Sequence, residues 1–258
     1  MTPSDLAALL ESVSTVAIDA GRLVMEVYNS DFAVTAKDDK SPVTEADVRA
    51  ERYILEQLQR LTPDIPVISE EASAAGHQPE VGDLFWLVDP LDGTKEFIRR
   101  NGEFTVNLGL IHDGMPILGM VHAPAIGQSY RGAGAATAQR RLGDGEWQRI
   151  RCRRAPDDGL TVLSSRSHGT GAQLDAWLAA HRIAGQVTAG SSLKFCVLAA
   201  GEADAYPRFG PTCEWDTAAA HAVLLAAGGS VVEAEDGLPL SYGKAGYLNP
   251  FFIAWGRR

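Results

Sequence analysis

The sequence predicts a layered α/β protein made of two packed halves. Three observations carry that expectation. The first third alternates long amphipathic stretches with short apolar runs. The middle reads as an antiparallel meander, with turn residues at short intervals. After Pro156, strand-like and helix-like segments alternate, the pattern of helices layered on a sheet. A soft boundary near residue 155 divides the chain into 1–155 and 156–258.

Each element follows from its own pattern. Ser4 to about Asn29 reads as a helix capped by Ser4, with Leu6, Leu9, Leu10, Val13 and Val16 near helical spacing. A polar break over Lys37–Pro42 follows. Thr44 then caps a helix running to about Leu61, with Ala50, Ile54, Leu58 and Leu61 on one face. Pro66–Ser69 and Leu84–Val88 are apolar runs ending in carboxylates and are expected as buried strands. Phe104–Ile111, Pro116–His122 and Gln128–Arg131 form the meander, with a turn at His112–Gly114. Beyond it, Thr161–Ser165, Gln186–Ala189, Ser230–Glu233 and Phe251–Trp255 are expected strands. Gly171–His181, Ser192–Ala200 and Trp215–Ala227 are expected helices.

Composition narrows the functional class. The 258 residues are 45% hydrophobic and 22% charged, with a net charge of -10. A chain of this size buries about 70–75% of its unfolded surface and needs no disulfides. Cys152, Cys196 and Cys213 are odd in number and widely spaced, which suits a reducing compartment rather than a disulfide or metal framework. Residues 1–129 carry 21 acidic and 9 basic side chains, and residues 130–258 carry 12 and 14. That balance argues against a nucleic-acid polymer as partner, which needs a basic face. The one basic concentration, Arg140, Arg141, Arg149, Arg151, Arg153 and Arg154, reads as a solvated hairpin. The start of the sequence lacks a basic segment followed by a continuous apolar one, so no secretory signal is expected. The longest apolar run, around Ala218–Ala227, falls short of the ~20 residues a membrane span requires. A soluble cytoplasmic chain is the expectation. An acidic chain gains nothing from anionic lipids, although peripheral membrane attachment and a homodimer both stay open.

The densest chemical feature is Asp89-Pro-Leu-Asp-Gly-Thr94. Two carboxylates three apart leave an apolar strand, and a helix beginning near Gly93 would turn its N–H groups toward the same spot. Such carboxylates suit a hard divalent cation, and such N–H groups suit phosphate. An Asx-Pro turn would use the same residue types without chemistry. The spacing does not fit an EF-hand, and Asp-x-x-Asp is not the Asp-x-Asp of phosphoaspartate enzymes. Three further features have modest readings alone: Glu70-Glu71 as a solvated strand end, Trp215-Asp216 as a helix cap, and Asp47 as the acid of a capping box begun by Thr44.

Taken together, Asp47, Glu70-Glu71, Asp89–Thr94 and Trp215-Asp216 followed by Gly228-Gly229 resemble the signature of the inositol monophosphatase superfamily. Finer text resembles the 3'(2'),5'-bisphosphate nucleotidases of the bacterial CysQ type: Asp89–Phe97, Gly190–Phe195 and Tyr206–Thr217. The resemblance implies an αβαβα sandwich in which 156–258 completes a metal site begun by 1–155. It implies a lithium-sensitive, Mg²⁺-dependent phosphatase with two or more ions, acting on adenosine 3',5'-bisphosphate as part of sulfate assimilation. Glu70, Asp89 and the Leu91 carbonyl would hold one ion; Asp89, Asp92 and Asp216 a second. Glu70, Thr94 and Asp47 would handle the attacking water. Gly93 and Thr94 would hold phosphate oxygens, and Glu70, Leu91, Asp92 and Asp216 would also line the substrate. Lys194 is the leading candidate for a remote phosphate, with Arg166 and Arg208 behind it. Glu71 would stand behind the metal ligands rather than among them, and no role is assigned to His168. A small sugar-alcohol monophosphatase shares the metal site and is the alternative; a non-catalytic nucleotide-binding relative is a remote one.

Overall fold

A computed structural model describes residues 1–36, 42–165 and 171–257. Most of the polar break after Ala36, together with Arg166 and His168, lies outside them. The first helix, α1 (Pro3–Tyr28), is capped by Thr2 rather than Ser4. Pro3 is favoured at the first helical position, which makes the residue before it the cap. Thr2 and Asp5 close the reciprocal pair, with N–H···O distances of 2.9 and 3.2 Å. A short antiparallel hairpin that the sequence did not suggest, β1 (Val34–Ala36) with β2 (Pro42–Thr44), precedes α2 (Glu45–Leu61). Thr44 caps α2 as expected. Ala50, Ile54 and Leu58 are buried, but Leu61 is 40% exposed because the helix ends there, off the sheet.

The first sheet contains β3 (Val67–Ser69), β4 (Leu84–Asp92), β5 (Thr105–His112), β6 (Met115–Ala123), β7 (Gln128–Ala133), β8 (Gln139–Leu142) and β9 (Gln148–Arg149), in that order. β3 runs parallel to β4, and the other neighbours are antiparallel. Two short helices interrupt it, α3 (Glu70–Ala74) and α4 (Thr94–Ile98). The remainder supplies β10 (Leu160–Ser164), α5 (Ala172–Ala179), β11 (Ile183–Thr188), α6 (Leu193–Ala199), β12 (Ala205–Arg208), α7 (Ala218–Ala226), β13 (Ser230–Glu233) and β14 (Phe252–Trp255). Its sheet has the order β11-β10-β12-β14-β13. The central strand β12 escaped the sequence reading because Pro207 interrupts a run of only four residues. The expected helix over Trp215–Ala227 is divided: Glu214–Asp216 form a separate 3₁₀ turn before α7.

Side-chain alternation along the strands sorts the layers. Trp86, Val88, Leu108 and Leu110 face α1 and α2, meeting Val13, Val24 and Ile54. Phe85, Leu87 and Val121 face the other way, toward Ala219 and Val223 of α7 and Phe195 of α6. Tyr206, Phe252 and Ala254 of the second sheet close that interior, while Trp177 of α5 covers Ile253 and Trp255 outside. The order is helices, sheet, helices, sheet, helix, as the resemblance implied. Among the described residues, no helix is long and apolar enough to cross a membrane.

The basic cluster is only partly a solvated hairpin. β8 and β9 do pair, and Arg149, Arg151 and Arg154 are exposed. Arg153, however, donates from Nε and Nη2 to the buried carboxylate of Asp204 at 2.9 and 2.8 Å, tying a loop to the second sheet.

α7 lies unusually close to the first sheet. Gly109, Gly119 and Gly132 are cross-strand neighbours on β5, β6 and β7, and the alanine-rich helix presses onto them. A Cβ on Gly119 would lie 2.0 Å from the Ala219 carbonyl oxygen, and one on Gly109 2.8 Å from the Ala219 nitrogen. This contact sets the depth of α7, and hence of the 3₁₀ turn leading into it. Overpacking of this kind costs about 1–3 kcal/mol or more. Gly119→Ala should therefore lower Tm by roughly 2–12 °C in a calorimetric scan, at about 2–4 °C per kcal/mol for a chain this long. Gly82→Ala, where a Cβ meets nothing within 4 Å, should leave Tm unchanged. Equal melting of the two variants would contradict the close-contact argument.

Candidate active site

β4 does not stop at Val88 but continues through Asp92. In a regular strand, residues three apart face opposite sides of the sheet. Here Asp89 pairs with Asn107 and Asp92 with Thr105, so two residues of β4 oppose only Val106. Pro90 has no N–H to offer the ladder, and the extra residue forms a bulge. The bulge turns Asp89 and Asp92 into one cleft. The Asx-Pro geometry is present as well, since the Leu91 N–H donates to Asp89 Oδ1 at 3.0 Å. Gly93 then caps α4 at φ 92°, a left-handed conformation that glycine adopts without penalty.

The cleft has a volume of about 290 Å³. Glu70, Asp89, Leu91, Asp92, Gly93, Thr94, Lys194 and Asp216 all line it. Asp47 is behind this wall. Its Oδ2 accepts from the Thr44 N–H and hydroxyl at 2.8 and 2.7 Å, and its Oδ1 lies 3.3 Å from the Thr94 hydroxyl. The helix cap and a role toward Thr94 therefore use different oxygens of one carboxylate. Glu70 and Glu71 are not a loose strand end; they open α3. Asp216 lies on the 3₁₀ turn and accepts the Cys213 N–H at 2.8 Å, so it caps that turn rather than α7. Glu214, fully buried, accepts from the N–H groups of Gly243 and Lys244 and from Lys244 Nζ, at 2.7, 3.0 and 2.7 Å, and fastens the turn to the loop beyond β13.

A polar network that sequence reasoning missed joins the two sheets at Asp92. Asp92 Oδ2 accepts from the Ser191 hydroxyl at 2.5 Å and the Ser192 N–H at 2.7 Å. Thr105 bridges both serine hydroxyls, and Ser192 donates to Asn107 Oδ1 at 2.8 Å. The signal was present: Thr105, Asn107 and Gly109 alternate with Val106, Leu108 and Leu110. One face of an otherwise apolar strand thus carries small and polar groups.

Lys194 is buried, and Nζ donates to the carbonyls of Ser191 and Ala189 at 2.6 and 3.2 Å. Burial pulls its pKa down to about 8, although Asp92 opposes the shift. Arg208 is also buried on the cleft wall. Its Nη2 donates to the Pro211 carbonyl at 2.9 Å, while Nε has no hydrogen-bond partner among the described residues.

The electrostatics are severe. Burial, then Glu70, Asp92 and Asp216, hold the Asp89 carboxyl well above the usual carboxylate range. Burial, then Asp92 and Glu70, do the same to Asp216. Asp92 is raised by burial against the opposing pull of Ser191, Lys194 and Ser192. Buried like charges need a compensating cation. Among the described residues, no group of three or more His, Cys, Asp or Glu side chains closes into a ready-made metal cage. An open set of carboxylates with a backbone carbonyl fits Mg²⁺, which keeps water and phosphate oxygens in its shell.

The sequence model of the inositol monophosphatase family matches residues 5–253. The chain is 45% identical over 247 residues to the 3'(2'),5'-bisphosphate nucleotidase CysQ of Escherichia coli K12, covering 95% of this chain and 98% of that one. It is 41% identical over 225 residues to the Buchnera aphidicola enzyme of the same name, covering 86% and 83%. The crystal structure of CysQ from Bacteroides thetaiotaomicron, described as a bacterial member of the inositol monophosphatase family, superposes with a TM-score of 0.80 at 34% identity over 98% of both chains. An inositol monophosphatase from Anabaena shares the fold, with a TM-score of 0.76 at 23% identity over 98% of this chain and 92% of that one. The αβαβα layers, the bulged Asp89–Asp92 segment and these similarities lead to one conclusion: the chain belongs to the inositol monophosphatase family of phosphatases.

Proposed function

We propose that the protein removes the 3'-phosphate of adenosine 3',5'-bisphosphate, giving AMP and inorganic phosphate, with Mg²⁺ as cofactor. The observation that carries this reading is a cleft holding two buried cations, Lys194 and Arg208, beside its carboxylates. A substrate with one phosphate needs no second cationic position, whereas a bisphosphate does. Arg208 lines the cleft with Nη2 held by the Pro211 carbonyl, so its guanidinium is fixed on the wall where a second phosphate would need charge-assisted donors. The CysQ relatives, at 45% identity over nearly the whole chain, support the same assignment. Two buried thiols and a third half-buried one suit a reducing cytoplasm.

Glu70, Asp89 and the Leu91 carbonyl would hold one Mg²⁺, and Asp89, Asp92 and Asp216 another. Bound there, Mg²⁺ supplies positive charge against the phosphate and makes water more acidic. The chain's own groups do the positioning that phosphoryl transfer requires. The Thr94 hydroxyl has one hydrogen for Asp47 or for the Leu91 carbonyl, each 3.3 Å away. When it donates to Asp47, its lone pairs accept from the attacking water, and Asp47 receives the proton through it. Glu70 fixes the same water from the other side. Gly93 and Thr94 offer N–H groups to the phosphate oxygens. Lys194 also braces the Ser191 turn, so Arg208 is the cleaner probe of the second phosphate.

With Mg²⁺ present, phosphate release should favour adenosine 3',5'-bisphosphate over inositol 1-phosphate by about a hundredfold in kcat/KM, or ~2.7 kcal/mol. Preference for inositol phosphate would overturn the assignment and favour the sugar-alcohol phosphatase. Arg208→Gln should raise KM for the bisphosphate by about 10–100-fold, the worth of a charge-assisted hydrogen bond. Adenosine 3'-monophosphate, lacking the second phosphate, should be hydrolysed nearly as before; equal losses would remove Arg208 from that role.

The raised carboxylates also predict stability. A raised folded-state pKa means that the folded chain binds more protons than the unfolded one, so stability in EDTA falls as pH climbs above about 4. Asp89→Asn should therefore melt higher than the unsubstituted protein in EDTA at neutral pH, while losing turnover. Mg²⁺ at a hundred times Kd should raise Tm of the unsubstituted protein by roughly 5–10 °C. The substitution should remove most of that rise, and an undiminished rise would contradict Asp89 as a ligand.

A further inference from the structure

We infer that Glu51, on α2 and outside the cleft wall, is a positioning residue that fixes Glu70 for cation binding. The inference rests on the proposed metal-dependent reading of the cleft and adds a part of the machinery that the motifs do not mark. Glu70 is the first residue of α3, a helix of 5 residues. So short a helix has little stability of its own, because most of its N–H groups lack an intrahelical acceptor. Its orientation must therefore come from outside.

Ser69 occupies the N-cap position and is a residue type that usually supplies that acceptor. It does not do so here: no side-chain cap bond forms, and its buried hydroxyl has no hydrogen-bond partner among the described residues. Glu51 takes over the task from a neighbouring element. Its Oε1 accepts the N–H groups of Glu71 and Ala72, at 3.0 and 3.2 Å. The first turn of α3, and with it the Cα of Glu70, is thus pinned to α2.

Position along α2 explains why this arrangement is economical. Asp47 and Glu51 are four residues apart, so they lie on one face of the helix, about one turn from each other. Asp47 reaches the Thr94 hydroxyl, and Glu51 reaches the backbone beneath Glu70. One rigid helix, buried through Ala50, Ile54 and Leu58, sets the spacing between the two groups that face the attacking water. A shift of either by an ångström would be costly in an oriented site. Glu51 needs only an acceptor oxygen for this task, not its charge, so glutamine should replace it.

Three variants and three readouts test the inference. Amide hydrogen exchange on the metal-free protein reads the geometry without activity. In Glu51→Ala, exchange at Glu71 and Ala72 should accelerate at least tenfold while α2 stays protected. Mn²⁺ binding, followed by the paramagnetic resonance of the free ion, should weaken about 10–100-fold in the same variant, the usual effect of losing a group that orients a ligand. KM for the bisphosphate at saturating Mg²⁺ should stay within about threefold. Glu51→Gln should restore both exchange protection and Mn²⁺ affinity, and Glu51→Asp, one methylene too short, should restore neither. Unchanged Mn²⁺ affinity in Glu51→Ala, or equal losses in the alanine and glutamine variants, would overturn the inference. An unsubstituted protein that binds no Mn²⁺ would instead overturn the metal-dependent reading, with the exchange data still deciding whether Glu51 holds α3.

Discussion

The like-charge crowding around Asp89 is the constraint on which the rest of the structure depends. Asp89 is 1% exposed and faces the charges of Glu70, Asp92 and Asp216. A fold under selection for stability alone would not gather these groups away from water, since each buried carboxylate opposes folding until something positive joins it. The chain carries that cost with a rigid frame, and the frame is visible wherever a carboxylate meets its support. Asp92 is held by the Ser191–Ser192 turn, Asp216 by the capped 3₁₀ turn that Glu214 fastens, and Asp47 by Thr44. In Asp92, Asp216 and Asp47 alike, these supports engage the Oδ2 oxygen.

The sandwich exists in the form needed to bring these supports together. Asp89 and Asp92 arrive on the first sheet and Glu70 on the short helix that follows its edge strand β3, while Asp216 arrives from the segment between the second sheet and α7. The two sources meet because three glycines let α7 settle on β5, β6 and β7. On the other side, Gly190 lies so near the segment leading into β5 that a Cβ would fall 2.7 Å from the Glu103 carbonyl oxygen, and its N–H donates to Glu103 Oε2 at 2.8 Å. Backbone contacts on both flanks thus set how the second sheet and its helices sit against the first sheet.

Much of this was legible in the sequence, and the failures have physical reasons. Periodicity located α1, α2 and the meander to within a few residues, because long amphipathic elements repeat their signal many times. Thr44 and Asp47 were legible as a capping pair because the box is a local motif. The end of β4 was misplaced because a bulge breaks the alternation that marks a strand, and Asp-Pro looks like a turn. The helix over Trp215–Ala227 was drawn too long because nothing in its apolar text marks a 3₁₀ break at Asp216. β12 was missed for its proline, and the Ser4 cap was displaced by Pro3. The gathering of the acidic residues came from their ordered resemblance to a family, not from any one of them. Thr105, Asn107 and Glu51 act through contacts 20 or more residues away in sequence, which no local pattern reports.

The central claim is that the crowded carboxylates form a site for divalent cations shared with phosphate. The most direct measurement is crystallographic: diffraction from crystals grown with Mn²⁺ and inorganic phosphate, with anomalous differences collected near the manganese edge. The account predicts at least two anomalous peaks in the cleft, both touching Asp89, one also near Glu70 and the Leu91 carbonyl and one near Asp92 and Asp216. Phosphate density should bridge them, facing Gly93 and Thr94. Fully occupied manganese elsewhere with none beside Asp89, or phosphate bound in the cleft without any cation, would contradict it.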